Sequence, residues 1–332
     1  MIELSWYEKL RLGQGQQRKN NLSDAENIYI SKISKDIENQ KQEKISLSEG
    51  SVVAKTNISF KTFFWEAVLF YSTIILGIAT ASRVSSIFEV QQIEIPQVSF
   101  WRFIISFIGA TLIIFILVRL LKFRKEKKTI FKAIFIFSVF LGGVVTLESW
   151  LYEPASLILI SSLIFWWLKK PKVINQDILI VLGLAGVGST LGLSLKPEII
   201  APLLIIFSIY DYVAVYKTKH MVEMAKSMIE SRAILGLVIP QDLSGFKEGL
   251  SNVEPGGRFM VLGGGDVVFP LLFSVSLLSS GIFDSLIVSL FSLMGLFATF
   301  LIFIKQKSRQ PIPALPPIAF FSIIGYLITR LF

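Results

Sequence analysis

Apolar residues fall into nine long runs separated by short polar breaks, and the chain's first sixty residues are polar throughout. The runs are Phe63–Ala81, Phe103–Leu121, Ile130–Leu147, Ala155–Leu168, Ile178–Leu195, Ile199–Val215, Phe259–Leu278, Phe283–Ile304 and Leu315–Leu331. Runs of about 17–25 apolar residues are long enough to cross a bilayer as helices. The pattern therefore predicts an all-α polytopic membrane protein with nine transmembrane helices, spanning 62–332, behind a polar tail, 1–61. No short apolar core follows Met1, so no cleavable signal peptide is expected, and the first run reads as an uncleaved signal anchor.

The polar breaks carry a second pattern. Arg119, Lys122, Arg124, Lys125, Lys127, Lys128 and Lys132 cluster between runs two and three. Lys169, Lys170 and Lys172 lie between four and five. Lys217, Lys219, Lys226 and Arg232 follow run six, and Lys305, Lys307 and Arg309 lie between eight and nine. The intervening breaks Glu148–Pro154 and Ser279–Ser285 hold no Lys or Arg. Basic loops stay in the cytoplasm. The alternation puts the N-terminus inside, the C-terminus outside and the protein in the cell membrane as a multi-pass chain.

The longest cytoplasmic connection, 216–258, is too long to be structureless. Lys219–Glu230 reads as helix and Ala233–Pro240 as strand. In the tail, Ser23 and Glu26 resemble a capping box, and Ala25, Tyr29, Ile33 and Ile37 recur at helical spacing, although the mixed charge reads as a solvated segment.

Composition narrows the chemistry. The 332 residues are 53% hydrophobic and 17% charged, with a net charge of +9. The positive charge sits in the loops and no stripe of basic and aromatic residues lies outside the apolar runs, so no nucleic-acid partner is expected. There is no cysteine and one histidine, His220. Thiolate chemistry and a multi-histidine metal site are excluded, and no cofactor is predicted.

Two aspartates interrupt runs six and seven. A carboxylate in such a run costs at least about 2.5–3.5 kcal/mol to insert, so it marks function. Asp211 lies about 9 Å along a helix from Lys217, and Asp266 about 12 Å from Arg258. Consecutive spans run antiparallel, so both carboxyls sit at matching depth near the cytoplasmic side. Two such acids cannot easily ionise together and so share a proton, which equips one as base and the other as acid. The same acids also suit a proton- or cation-coupled transporter or channel. Glu66 and Arg119 lie near run ends and read as side chains snorkelling to the interface. Gly263-Gly264-Gly265 removes three side chains before Asp266, and Pro313–Pro316 holds the start of run nine out of helix.

Tyr210-Asp211, Gly263-Gly264-Gly265-Asp266 and Pro313-Ala314-Leu315-Pro316, in that order and in runs six, seven and nine, resemble the presenilin and signal peptide peptidase family of intramembrane aspartyl proteases. Prepilin peptidases share the Gly-x-Gly-Asp pattern but follow it closely with lysine, where Val267 and Val268 stand here. The short chain and absent cysteine look most like microbial, archaeal homologues, and nothing resembles presenilin's autocleavage region. The resemblance implies that Asp211 and Asp266 are a catalytic dyad. It implies that Tyr210, Gly263, Gly264, Gly265, Pro313, Ala314 and Leu315 shape the site and receive substrate. It implies transmembrane-helix substrates, cut inside the lipid bilayer. Gly264, where the family often has a larger residue, is expected to loosen the site. The Ile234–Ile239 segment is expected to offer a strand to the unwound substrate. The sequence leaves open whether the chain acts as a monomer or a homo-oligomer.

Overall fold

The computed structural model describes residues 60–120, 124–218, 220–254, 258–306 and 310–331. The polar tail, with its predicted helix face, lies outside them. The chain is mostly helical. Its elements are α1 (Phe60–Val90), α2 (Phe100–Leu120), α3 (Arg124–Glu148), α4 (Glu153–Lys169), α5 (Val173–Ser194), α6 (Pro197–Tyr212), α7 (His220–Ser231), β1 (Gly236–Pro240), β2 (Phe259–Gly263), α8 (Gly264–Ser276), α9 (Ile282–Ile304) and α10 (Leu315–Thr329). Each of the nine apolar runs overlaps a helix among the described residues, the seventh only from Gly264 onward. Among the described residues, five helical stretches are long and apolar enough to cross a membrane: Phe60–Val90, Thr129–Glu148, Val173–Ser194, Pro197–Lys217 and Ile282–Ile304. Shorter apolar helices include Gly264–Ser276 and Leu315–Thr329.

Helix α5 is the hub, packed against α1, α3 and α8. The approach of α3 to α5 needs glycine: a side chain at Gly142 would run into the Gly183 carbonyl. Lipid is as apolar as leucine, so such close van der Waals packing and satisfied polar groups hold membrane helices together. The hydroxyls follow that rule. Thr73 donates to the Leu69 carbonyl at 2.7 Å, Ser274 to Pro270 at 2.9 Å, and Ser322 to Ile318 at 2.7 Å. Ser189 on α5 reaches across to the Gly77 carbonyl of α1 at 2.7 Å. Phe70, Ile74, Phe135, Trp167 and Val267 fill the core between these helices. Outside it, Ile105, Ile108, Phe165, Trp166, Ile205 and Ile209 are exposed. Apolar surface on this scale marks a face that meets lipid or a partner.

The prediction of an all-α fold needs one correction. Phe259–Gly263, expected as the first turn of the seventh span, is the strand β2, paired antiparallel with β1. Gly236 opposes Gly263, Val238 opposes Val261, and Pro240 opposes Phe259. The glycines after Leu262 discourage helix at this point, and β1 supplies hydrogen bonds that a helix begun at Phe259 would have made internally. The long 216–258 connection is ordered much as its pattern predicts, with a helix and then a strand. It also meets the turn after α4. The Val173 amide donates to Glu248 at 3.0 Å, and the Leu250 amide to Pro171 at 2.8 Å.

Candidate active site

Asp211 lies in the last turn of α6 and Asp266 in the first turn of α8. Both are buried, at 4% and 9% relative exposure. One turn further along each helix, Phe207 and Phe269 stack with ring centroids 4.5 Å apart. Residues three or four apart share a helix face. The stack therefore brings the aspartate-bearing faces of α6 and α8 toward one another.

Each carboxyl is held by a different break in helical structure. Leu315 opens α10, and its amide donates to Asp211 Oδ2 at 3.3 Å. The next two residues are Pro316 and Pro317, which have no N–H. Leu315 thus offers the free donor of that first turn, and the positive end of the helix adds a favourable field. Pro313, Ala314 and Leu315 are all buried at this junction. Asp266 follows the change from strand to helix. The backbone of Gly263 lies within hydrogen-bonding reach of its carboxyl, and a Cβ on Gly263 would sit 3.0 Å from Asp266 Oδ2. Pro270 stands four residues beyond Asp266 within α8. Proline lacks the amide that would cap the Asp266 carbonyl, so the backbone here is free to depart from ideal helix.

Gly264 does not loosen this region. Its amide donates to the Leu235 carbonyl at 3.0 Å, and an added Cβ would come 3.0 Å from that same oxygen. Gly265 is the open position, where a Cβ would meet only the Phe269 ring at 3.8 Å. Tyr210, beside buried Asp211, is 58% exposed. The surface hollow lined by Lys61, Phe64, Trp65, Gln241, Asp242 and Leu243 includes neither aspartate.

Two features escaped the sequence. Glu66, expected to snorkel, is buried at 5%, with no hydrogen-bond partner for Oε2 among the described residues. It shares the inward stripe of α1 with Phe70, Ile74 and Gly77. Gln176 and Asp177, in the first turn of α5, are 0% and 1% exposed and grip β1. Their only signal was a polar triplet, Asn175-Gln176-Asp177, directly before an apolar run. Among the described residues no cluster of three or more His, Asp or Glu is arranged to hold a metal ion.

A polytopic helical membrane protein with two buried aspartates on packed helices, each at a break in helical structure, has the makings of an aspartic hydrolase that works within the bilayer. The family model for signal-peptide peptidase and presenilin aspartyl proteases matches residues 55–332, and the chain belongs to that family. It is an aspartic protease of the intramembrane kind. The fold agrees: a solved presenilin family intramembrane aspartate protease, in a C222 crystal, superposes with a TM-score of 0.52 at 23% identity, covering 80% of this chain and 96% of that one. A P2 crystal structure of a presenilin family intramembrane aspartate protease gives a TM-score of 0.49 at 23% identity over the same shares. No curated protein sequence matches significantly.

Proposed function

We propose that Asp211 and Asp266 are the catalytic dyad of a protease that cuts transmembrane helices, or remnant signal peptides, within the cell membrane. The observation that supports this reading is the Phe207–Phe269 stack, which packs the two helix ends that carry the buried aspartates, with the Leu315 amide bonded to Asp211. One aspartate, ionised, takes a proton from water, and the water oxygen attacks the scissile carbonyl carbon. The other, protonated, gives its proton to the carbonyl oxygen. As the resulting diol collapses, one of its hydroxyls returns a proton to the ionised aspartate, the C–N bond breaks, the amine leaves with the proton of the other aspartate, and one shared proton remains on the dyad.

Pro313, Ala314 and Leu315 position Asp211. Gly263, Gly264 and Gly265 let backbone approach Asp266. Exposed Tyr210 walls the lipid-facing side on which a substrate helix arrives. The chain crosses the membrane nine times with its N-terminus inside. The contacts of Val173 with Glu248 and of Leu250 with Pro171 join two loops that this topology puts on one side.

A substrate must be unwound to be cut, and its freed backbone groups need partners in lipid. Strand β1 is buried along its whole length, so the segment expected to receive substrate is already paired. The partner strand is the better acceptor. Val238 directs its amide away from β2, to Asp177. Opposed residues in an antiparallel ladder share the direction of their polar groups, so Val261 directs its own amide and carbonyl to the outer edge of β2. Its side chain is 40% exposed.

The test is cleavage of a single-span helical substrate by purified enzyme in lipid. Asp211→Asn and Asp266→Asn are each expected to lower the rate by about 10³-fold or more, as for catalytic groups that act as a unit. A hydroxyethylene transition-state mimic should inhibit the native enzyme. Full cleavage by either variant would refute the dyad.

A further inference from the structure

Strand β1 is fastened on the side away from β2. Gln176 Nε2 donates to the Ile234 carbonyl. The Val238 amide donates to Asp177 Oδ1 at 2.8 Å. Between these two contacts, the Leu235 carbonyl accepts the Gly264 amide at 3.0 Å. Gly264 is the first residue of α8 and stands two residues before Asp266. Three successive bonds thus run from the start of α5, through residues 234–238, to the helix that carries Asp266.

This fastening is expensive. Gln176 Oε1 and Asp177 Oδ2 are buried without hydrogen-bond partners among the described residues. Such atoms destabilise a fold, and apolar residues of like shape would pack the same space at lower cost. What apolar residues lack is direction: one donor and one acceptor that set the position of β1 along and across α5. Helix α8 needs that direction because its first turn has little else. Its N-cap is Gly263, which offers no side chain to cap it.

We propose that Gln176 and Asp177 are positioning residues for Asp266, acting through β1 and the Leu235–Gly264 bond. The proposal rests on the dyad reading above. Removal of either group lets residues 234–238 shift, and Asp266 shifts with them relative to Asp211. Displacement of a reacting group by about 1 Å costs on the order of 10²-fold in rate. Substrate binding along the outer edge of β2 is less affected.

The experiment compares Asp177→Ala, Asp177→Asn and Gln176→Met, assayed in lipid well below each variant's melting midpoint. Asn keeps an oxygen where Oδ1 accepts the Val238 amide, and Met keeps the shape of Gln without its donor. Asp177→Ala and Gln176→Met are expected to lower kcat by about 10- to 100-fold, the range seen when outer groups that orient a reactive side chain are removed, with the smaller change in KM. Asp177→Asn is expected to restore most of kcat. If Asp177→Ala does not fold, the Asn and Met variants carry the comparison. Native kcat in Gln176→Met would overturn the proposal. So would a loss in Asp177→Asn as large as in Asp177→Ala, or a loss confined to KM. Cleavage that persists in Asp266→Asn would instead refute the dyad itself, whatever these variants do.

Discussion

A Cβ on Gly263 would sit 3.0 Å from Asp266 Oδ2, tighter than ordinary contact, so either the carboxyl or the strand end must give by a few tenths of an ångström. Gly263→Ala is therefore expected to lower kcat by about tenfold with little change in melting midpoint, since small displacements at reacting groups are costly. Gly265→Ala meets only an ordinary contact with Phe269 and is expected to cost distinctly less. Equal losses in the two variants, read in one cleavage assay, would show that the Gly263 contact does not matter. Glu66 makes the opposite case. Its buried Oε2 has no partner among the described residues, which costs about 1–3 kcal/mol. Glu66→Met keeps the length and discards the orphan, so the melting midpoint should rise, and a fall would reveal a partner for that oxygen. Asp211 and Asp266 were legible in the sequence because each interrupts a long apolar run. Glu66 was not, because a carboxylate near a run's end has the same pattern whether it snorkels or is covered. The cover over Glu66 comes from helices distant in sequence.

At the scale of elements, hydrophobic runs located the helices well because a bilayer imposes their length. They misplaced the start of the seventh span. Phe259–Leu262 is as apolar as the helix that follows, and composition alone does not separate a buried strand from a helix turn. The distinguishing information lay in Gly263–Gly265 and in a partner strand some twenty residues earlier. The reading of Ala233–Pro240 as strand was correct in type, yet nothing in its own residues told that β2 would cover one edge and Asp177 the other. In the proposed mode of substrate binding the edge left to substrate is that of β2, whose central outward amide belongs to Val261. Proline there removes the donor while suiting an edge strand. Val261→Pro is expected to raise KM for a helical substrate several-fold and to leave the melting midpoint nearly unchanged. An unchanged KM in steady-state cleavage would remove β2 as the substrate's partner.

For the whole molecule, orientation is a question that helix packing does not decide, since a bundle and its inverted copy in the bilayer have the same internal contacts. The basic loops decide it, through the cost of carrying Lys and Arg across. In the proposed topology the turn after α4 and the 216–258 connection lie inside, and the breaks around Trp150 and Ser280 outside. The absence of native cysteine makes this directly measurable, because a single introduced thiol reacts against no background. Ser280→Cys and Trp150→Cys, both at exposed positions, should react with a membrane-impermeant maleimide on intact cells. Lys170→Cys and Ser251→Cys, also exposed, should react only after the membrane is opened. The reverse pattern would invert the topology and put the dyad near the outer face. A mixed pattern within one pair would mean that one apolar helix does not cross. The short helices Gly264–Ser276 and Leu315–Thr329 are where such a failure would fall, since neither reaches the length of a full span. Both begin at a break beside an aspartate, so under the proposed topology a short helix here would leave room at the cytoplasmic end for water and for an unwound substrate to reach the proposed dyad.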